Sequence, residues 1–262
     1  MNTIPKLRAD QVLQPRLPDP CSVKVIGLGG VGGIVARYGA MFLASFDQAV
    51  RLVLIDGDQF EASNASRMYF SGHGNKAEVT RADLLDRFKD SQLSLVAVPE
   101  FITPENAPRL IHEGDIVLLA VDNHATRKLV NDFCFANLGD VCLISGGNDG
   151  IGADSSGRVL RGTYGNVQLY LKRGGVEASP SLARYHPEIA QPADKLPTDL
   201  SCTELVKSVP QILFTNLATA SAMLNALWLY LCGALHYSEL ALDVAEGLMH
   251  PLAIPAPQLA AG

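Results

Sequence analysis

Gly27, Gly29, Gly30, Gly32 and Gly33 crowd into seven residues, directly after the apolar run Ser22–Ile26 and directly before the apolar stretch from Val31. Glycines between a strand and a helix let backbone approach phosphate closely, and the helix start supplies N–H groups and the positive end of its dipole. Asp56 ends the next apolar run, RLVLI from Arg51 to Ile55, where a carboxylate can accept hydrogen bonds from ribose hydroxyls. This pair of features fits NAD and ATP equally well. Other polar residues follow at fixed places: Asp58, Ser63, Asn64, Arg67, Lys76, then Asp122, Asn123 and Arg127. Taken singly each has a plain reading: a strand-end aspartate as a helix cap, an asparagine as a turn residue, a lysine or arginine as solvated charge.

The elements that must position these groups read from hydrophobic period. Strands are expected at Ser22–Ile26, Arg51–Ile55, Leu93–Val98, Ile116–Val121 and Val141–Ser145. Helices are expected at Val31–Phe46, Lys76–Lys89, Pro104–His112 and Ala125–Ala136. Strands alternating with helices, with wholly apolar runs such as IVLLAV, predict an α/β fold: a Rossmann-like, mostly parallel central sheet with helices on both faces. After Gly146 the texture changes. Val159–Leu171 reads as one or two antiparallel strands, 173–203 as a long crossing loop, 212–235 as a long buried helix, and a further strand region follows. The expected organisation is an arm at 1–20 and one domain over 21–262, with 23–146 as its nucleotide-binding half and 147–262 as the remainder.

The chain of 262 residues carries 21 Lys plus Arg against 27 Asp plus Glu, and 48% of it is apolar. That composition excludes a disordered protein and disfavours nucleic acid as a partner. Residues 208–238 hold no charged side chain, but Pro210, Gln211, Asn216 and Asn225 within them fit a buried helix better than a membrane span. Five cysteines, at 21, 134, 142, 202 and 232, form no Cys-x-x-Cys pair, so no zinc is expected. Their odd number, with no apolar signal stretch near the start, fits the cytoplasm. Cys134, Cys142 and Cys232 lie in apolar patterns and read as core.

Taken together, G-x-G-G-x-G from Gly27 to Gly32, Asp56-Gly-Asp58, Ser63-Asn64-Ala-Ser-Arg67, Lys76 and Asp122-Asn123 resemble the ThiF/MoeB family, which includes the ubiquitin-activating enzymes. Within it, the chain resembles the ThiF-like branch of plasmid-borne PRTRC systems. The resemblance implies an adenylating enzyme that uses ATP and Mg²⁺ on the C-terminal carboxylate of a small ubiquitin-like or sulfur-carrier protein ending in glycine. It implies a nucleotide site of Gly27, Gly29, Gly30, Gly32, Asp56, Asp58, Asn64, Arg67, Lys76, Asp122 and Asn123. Arg67 and Lys76 would offset phosphate charge, Asn64 would donate a hydrogen bond, and Asp122 would hold the metal. Cys202, in Leu200-Ser201-Cys202-Thr203, resembles the reactive cysteine of thioester-forming members. A homodimer, and a conjugating partner or JAB-type protease, are implied as well. The chain lacks the family's usual leader motif for an arginine serving the neighbouring subunit, leaving Arg8 or Arg16 for that part. An NAD-dependent oxidoreductase would share the glycine loop and Asp56 but leave Asn64, Arg67 and Lys76 without roles. A nucleotide-binding scaffold without catalysis would share all of them.

Overall fold

The computed structural model describes residues 12–153, 157, 159–199 and 210–253. Cys202 and Arg8 lie outside the described residues. The first half alternates strand and helix: β1 Cys21–Ile26, α1 Gly30–Leu43, β2 Val50–Ile55, β3 Gln59–Phe60, β4 Gly74–Asn75, α2 Lys76–Phe88, β5 Leu93–Val98, α3 Ala107–Leu110, β6 Ile116–Leu119, α4 His124–Asn137 and β7 Val141–Asn148. The second half holds β8 Ile151–Ala153, β9 Val159–Arg161, β10 Tyr164–Arg173, β11 Val176–Glu177, α5 Pro187–Ala190, α6 Leu213–Leu231, β12 Tyr237–Asp243 and β13 Leu248–Ala253.

One sheet joins both halves, in the order β13-β12-β10-β7-β6-β1-β2-β5, with β11 paired to β10. The five strands from β5 to β7 are parallel, and β10, β12 and β13 add on antiparallel. The parallel part follows the doubly wound arrangement, so the chain leaves β1 toward one edge and later returns to β6 on the other side.

Alternation along each strand makes two cores. Val23, Val25, Leu52, Leu54, Ile116, Leu118 and Ile144 face α1, α2 and α6. Ile26, Val53, Ile55, Val117, Leu119, Leu143 and Tyr170 face α3, α4 and α5. Burial of both faces is what makes these strands read as unbroken apolar runs.

Several elements differ from their sequence expectation. The short helix begins at Ala107, because Thr103 and Asn106 staple the preceding turn to each other: Thr103 N–H donates to Asn106 Oδ1 at 2.8 Å and Asn106 N–H to Thr103 Oγ1 at 3.3 Å. The late helix ends at Leu231 rather than near 235, and is buried along one face only: Phe214 is 71% exposed, and Leu213 and Leu217 also reach solvent. The crossing segment is not structureless. It carries a one-turn helix at Leu182–Arg184, α5 and another turn at Pro197–Asp199. Side chains pin it: Leu182 N–H donates to Asn131 Oδ1 at 2.8 Å, and His186 lies between Glu188 and Glu239. Among the described residues, no helix is long and apolar enough to cross a membrane.

Candidate functional site

The C-terminal ends of β1, β2 and β6 form one edge, with the glycine loop at the point where the strand order reverses. Gly27 has φ +84°, and a Cβ there would lie 2.9 Å from the Ala120 carbonyl oxygen at the end of β6. Gly32 packs so tightly onto the Gly27 carbonyl that a Cβ would overlap it. These two glycines fix the turn and the helix-to-strand approach. Gly29, the N-cap of α1, supplies no side-chain cap, and a Cβ there would meet only Met68 Cε at 3.7 Å. The first turn of α1 therefore presents its N–H groups with no capping side chain, which suits an anion.

Asp56 is buried at the end of β2. Its Oδ2 accepts the Leu28 N–H at 2.5 Å and its Oδ1 the Asp58 N–H at 2.8 Å. Burial pushes its carboxyl above the ordinary range, while Lys76 and the two N–H groups pull it back. Lys76, the first residue of α2, is buried with its ammonium paired to the half-exposed Asp58 carboxylate. Asn75 holds the two together. Its Oδ1 caps α2, accepting Ala77 N–H at 2.8 Å, and its Nδ2 donates to the carbonyls of Asp56 at 2.8 Å and Asp58 at 3.1 Å. Asn75 was not singled out among the candidate site residues, although an asparagine just before an amphipathic helix is a capping signal.

Asn64 closes the one-turn helix Ala62–Asn64, its Oδ1 accepting Glu61 N–H at 3.2 Å. Arg67 follows, half-buried, its N–H on the Asn64 carbonyl at 3.0 Å. This loop comes to the mouth of α1 through Met68 beside Gly29. Arg37 of α1 anchors it, donating to the Tyr69 carbonyl at 2.5 Å and pairing with Asp83 at 2.9 Å.

Past β6, Asp122 is exposed and Asn123 caps α4, accepting Thr126 N–H at 2.7 Å. Arg127 is buried and acts as a staple. It donates to Ser145 Oγ at 3.1 Å, to the Val121 carbonyl at 2.8 Å and to the Gly146 carbonyl at 3.2 Å, holding the ends of β6 and β7 in place. Asp194 of the crossing segment sits on the start of α4, accepting His124 N–H at 2.7 Å and Ala125 N–H at 2.8 Å. Neither Asp194 nor His186 was legible as a site-edge residue, because both act across the chain through single side chains.

The glycine loop, Asp56, Asp58 and Lys76 thus form one bonded unit, the loop that carries Asn64 and Arg67 reaches Gly29 through Met68, and Asp122 stands at the neighbouring strand end. Among the described residues, no group of three or more His, Cys, Asp or Glu is arranged to hold a metal. A lone exposed carboxylate nevertheless suits Mg²⁺, which binds through one or two carboxylates, phosphates and water. Cys21, Cys134 and Cys142 are buried, and burial pushes the first two thiols up to about 11 and about 12 and the third higher still. Cys232 is half-buried and is also raised by burial. None of these four is poised as a thiolate. The Arg16 N–H bonds to the Leu231 carbonyl at 2.9 Å, at the far end of α6 from the glycine loop.

Known proteins resemble this chain in sequence and in fold. The adenylyltransferase and sulfurtransferase MOCS3 of Xenopus laevis is 36% identical over 115 residues, which is 43% of this chain and 24% of that protein. The adenylyltransferase and sulfurtransferase uba4 of Aspergillus terreus is 28% identical over 131 residues, 47% of this chain and 26% of that protein. The chain thus spans about a quarter of the length of these curated relatives. In fold it is similar to MccB of E. coli, with a TM-score of 0.65 at 17% identity over 91% of this chain and 65% of that one. The ThiF family model matches residues 9–225, most of the sequence and every part of the site described above, and the chain belongs to the ThiF family.

Proposed function

We propose that the chain binds ATP at the glycine loop and adenylates the C-terminal carboxylate of a small ubiquitin-like or sulfur-carrier protein ending in glycine. The observation that carries this reading is the pairing of an uncapped helix start at Gly29 with the buried Lys76 ammonium at the same sheet edge. Membership of the ThiF family, the adenylyltransferase names of the relatives and a crystal structure of MccB with ATP support it.

In the reaction a carboxylate oxygen attacks the α-phosphorus, the bond to the bridging oxygen breaks, and pyrophosphate leaves with the electron pair. A carboxylate is a weak nucleophile and ATP is highly charged, so the protein's work is alignment and charge compensation. Lys76 turns from Asp58 toward the phosphates, Arg67 adds a second cation and Asn64 donates a hydrogen bond. Asp56 serves the ribose, and Asp122 would hold Mg²⁺, which when bound neutralises phosphate charge. Cys202 then takes the acyl group as a thioester, releasing AMP. We further infer a cytoplasmic homodimer of the PRTRC branch, acting beside a conjugating partner or JAB-type protease.

ATP–pyrophosphate exchange tests the reading, using the purified chain, Mg²⁺ and a small protein ending in glycine encoded beside it. Exchange is expected with wild type and is lost in Arg67→Ala and Asp122→Ala. Cys202→Ala keeps exchange and loses the reducible covalent adduct. ATP binding without exchange points to a scaffold, and a melting point raised by NADH but not ATP points to an oxidoreductase.

A further inference from the structure

The inner face of α6 is polar where it meets the glycine loop. Thr215, Asn216 and Thr219 are all fully buried. Thr215 Oγ1 donates to the Gly162 carbonyl at 2.7 Å. Among the described residues, neither Nδ2 nor Oδ1 of Asn216 has a hydrogen-bond partner, and Thr219 Oγ1 has none either. Asn216 Nδ2 lies so close to Gly30, the first residue of α1, that a Cβ there would overlap it, with Gln211 Oε1 3.1 Å from the same point. Thr219 Oγ1 crowds Gly165 in the same way. Gly165 lies opposite Asn148 in the β7–β10 ladder, and Asn148 Oδ1 is unpaired too. A seam of unsatisfied polar atoms therefore runs inward from the phosphate-facing end of α1.

A buried carboxamide left without a partner is destabilising, and an apolar side chain of the same shape avoids that cost. Helix α6 bears this cost against the first turn of α1, whose N-cap Gly29 supplies no side-chain cap. Only glycine at position 30 allows the contact.

We propose that Asn216 is a positioning residue of the nucleotide site. It bears on the first turn of α1 at Gly30, sets the aim of the N–H groups that receive the phosphates, and gains its missing hydrogen bond when the β- and γ-phosphates seat. This rests on the ATP-binding reading above and adds to it a residue from the second half of the chain. The free site is held slightly unsatisfied, and phosphate binding relieves it.

The experiment measures ATP and AMP affinity by calorimetry, and melting temperature without ligand, for wild type, Asn216→Leu and Asn216→Ser. Asn216→Leu is expected to melt at or above the wild-type temperature when free, and to bind ATP at least about tenfold more weakly, with AMP affinity changed by less than about threefold. Asn216→Ser, too short to bear on Gly30, is expected to weaken ATP binding as the Leu variant does, with AMP affinity changed by less than about threefold. A Leu variant that binds ATP like wild type overturns the proposal, as does equal weakening toward ATP and AMP. If both variants fail to fold, Asn216 is a packing residue and the proposal falls. A wild type that ignores ATP refutes the nucleotide reading itself, and this inference with it.

Discussion

Asp56 and Leu28 are joined by a 2.5 Å hydrogen bond from the Leu28 N–H to Oδ2, so the end of β2 and the glycine loop move as one piece. The other carboxylate oxygen takes the Asp58 N–H, which carries the linkage on to Lys76. Asp56→Ala removes the acceptor for both N–H groups. It is expected to lower stability by about 2 kcal/mol, allowing for the relief of a buried charge. Asp56→Asn, whose amide oxygen accepts only one side of the pair, is expected to fall between. Urea denaturation of the three proteins checks the order.

The glycines of the loop separate into structural and binding positions. Gly32→Ala forces a Cβ into the Gly27 carbonyl and is expected to cost about 4 kcal/mol or more, leaving little folded protein. Gly29→Ala meets only Met68 at van der Waals range and is expected to change stability by about 0.5 kcal/mol or less. The new methyl stands at the helix start, so ATP binding should weaken although the fold persists. Melting curves with and without ATP separate the two effects.

Arg127 is the donor for Ser145 and for the Val121 and Gly146 carbonyls. Arg127→Ala leaves these buried groups unpaired and is expected to destabilise by about 3 kcal/mol. Arg127→Lys is expected to recover only part of it, since one ammonium cannot reproduce the planar fork. Chemical denaturation gives both numbers. ATP affinity should fall with stability, because the same staple holds the end of β6 beside Gly27.

The crossing segment should respond to pH through His186. Its Nε2 lies 3.1 Å from Glu239 Oε2 and its Nδ1 2.9 Å from Glu188 Oε1. The hydrogen bond to Glu239 leads in raising the imidazole above its ordinary 6.5, with burial opposing and Glu188 adding. Burial pushes both glutamates up, but hydrogen bonding and the imidazolium outweigh it and hold both below 4.5. A raised histidine contributes stability fully below pH 6.5, and loses it as pH climbs through the raised value. The depressed glutamates contribute above pH 4.5, and lose it as pH falls through their lowered values. The clamp is therefore strongest between those limits. His124, pushed down by burial and Arg127, opposes it on the acid side, with Asp194 nearby partly offsetting that shift. The melting-temperature gap between wild type and His186→Gln is expected to be widest in that window and to shrink toward pH 9. A gap that grows with pH would contradict the assignment.

The parallel half was legible because its strands and helices announce themselves by period, and because the glycine loop, Asp56 and Lys76 sit where a strand meets a helix. The observed β2, α2 and β5 differ from the expected spans by at most a residue at either end. Composition misled at α6, since an uncharged run does not reveal that Phe214 and Leu217 point outward. The crossing segment was opaque for a different reason. Its order comes from Asn131, Asp194 and His186, each reaching an element distant in sequence, and no local pattern records such a contact. Lys76 was legible as a cation but not as the buried partner of Asp58.

Helix α6, encoded after residue 210, packs along α1, meeting it at Gly30 through Asn216 and at Gly39 through Leu224. The stretch that carries the nucleotide motifs is therefore not an autonomous unit. Cut away from the later residues, α1 would lose the cover that α6 gives it at Gly30 and Gly39, and β7 would become a bare, sticky edge. The motif-bearing half cannot be transplanted as a cassette; it is finished only by a helix encoded far downstream of the motifs.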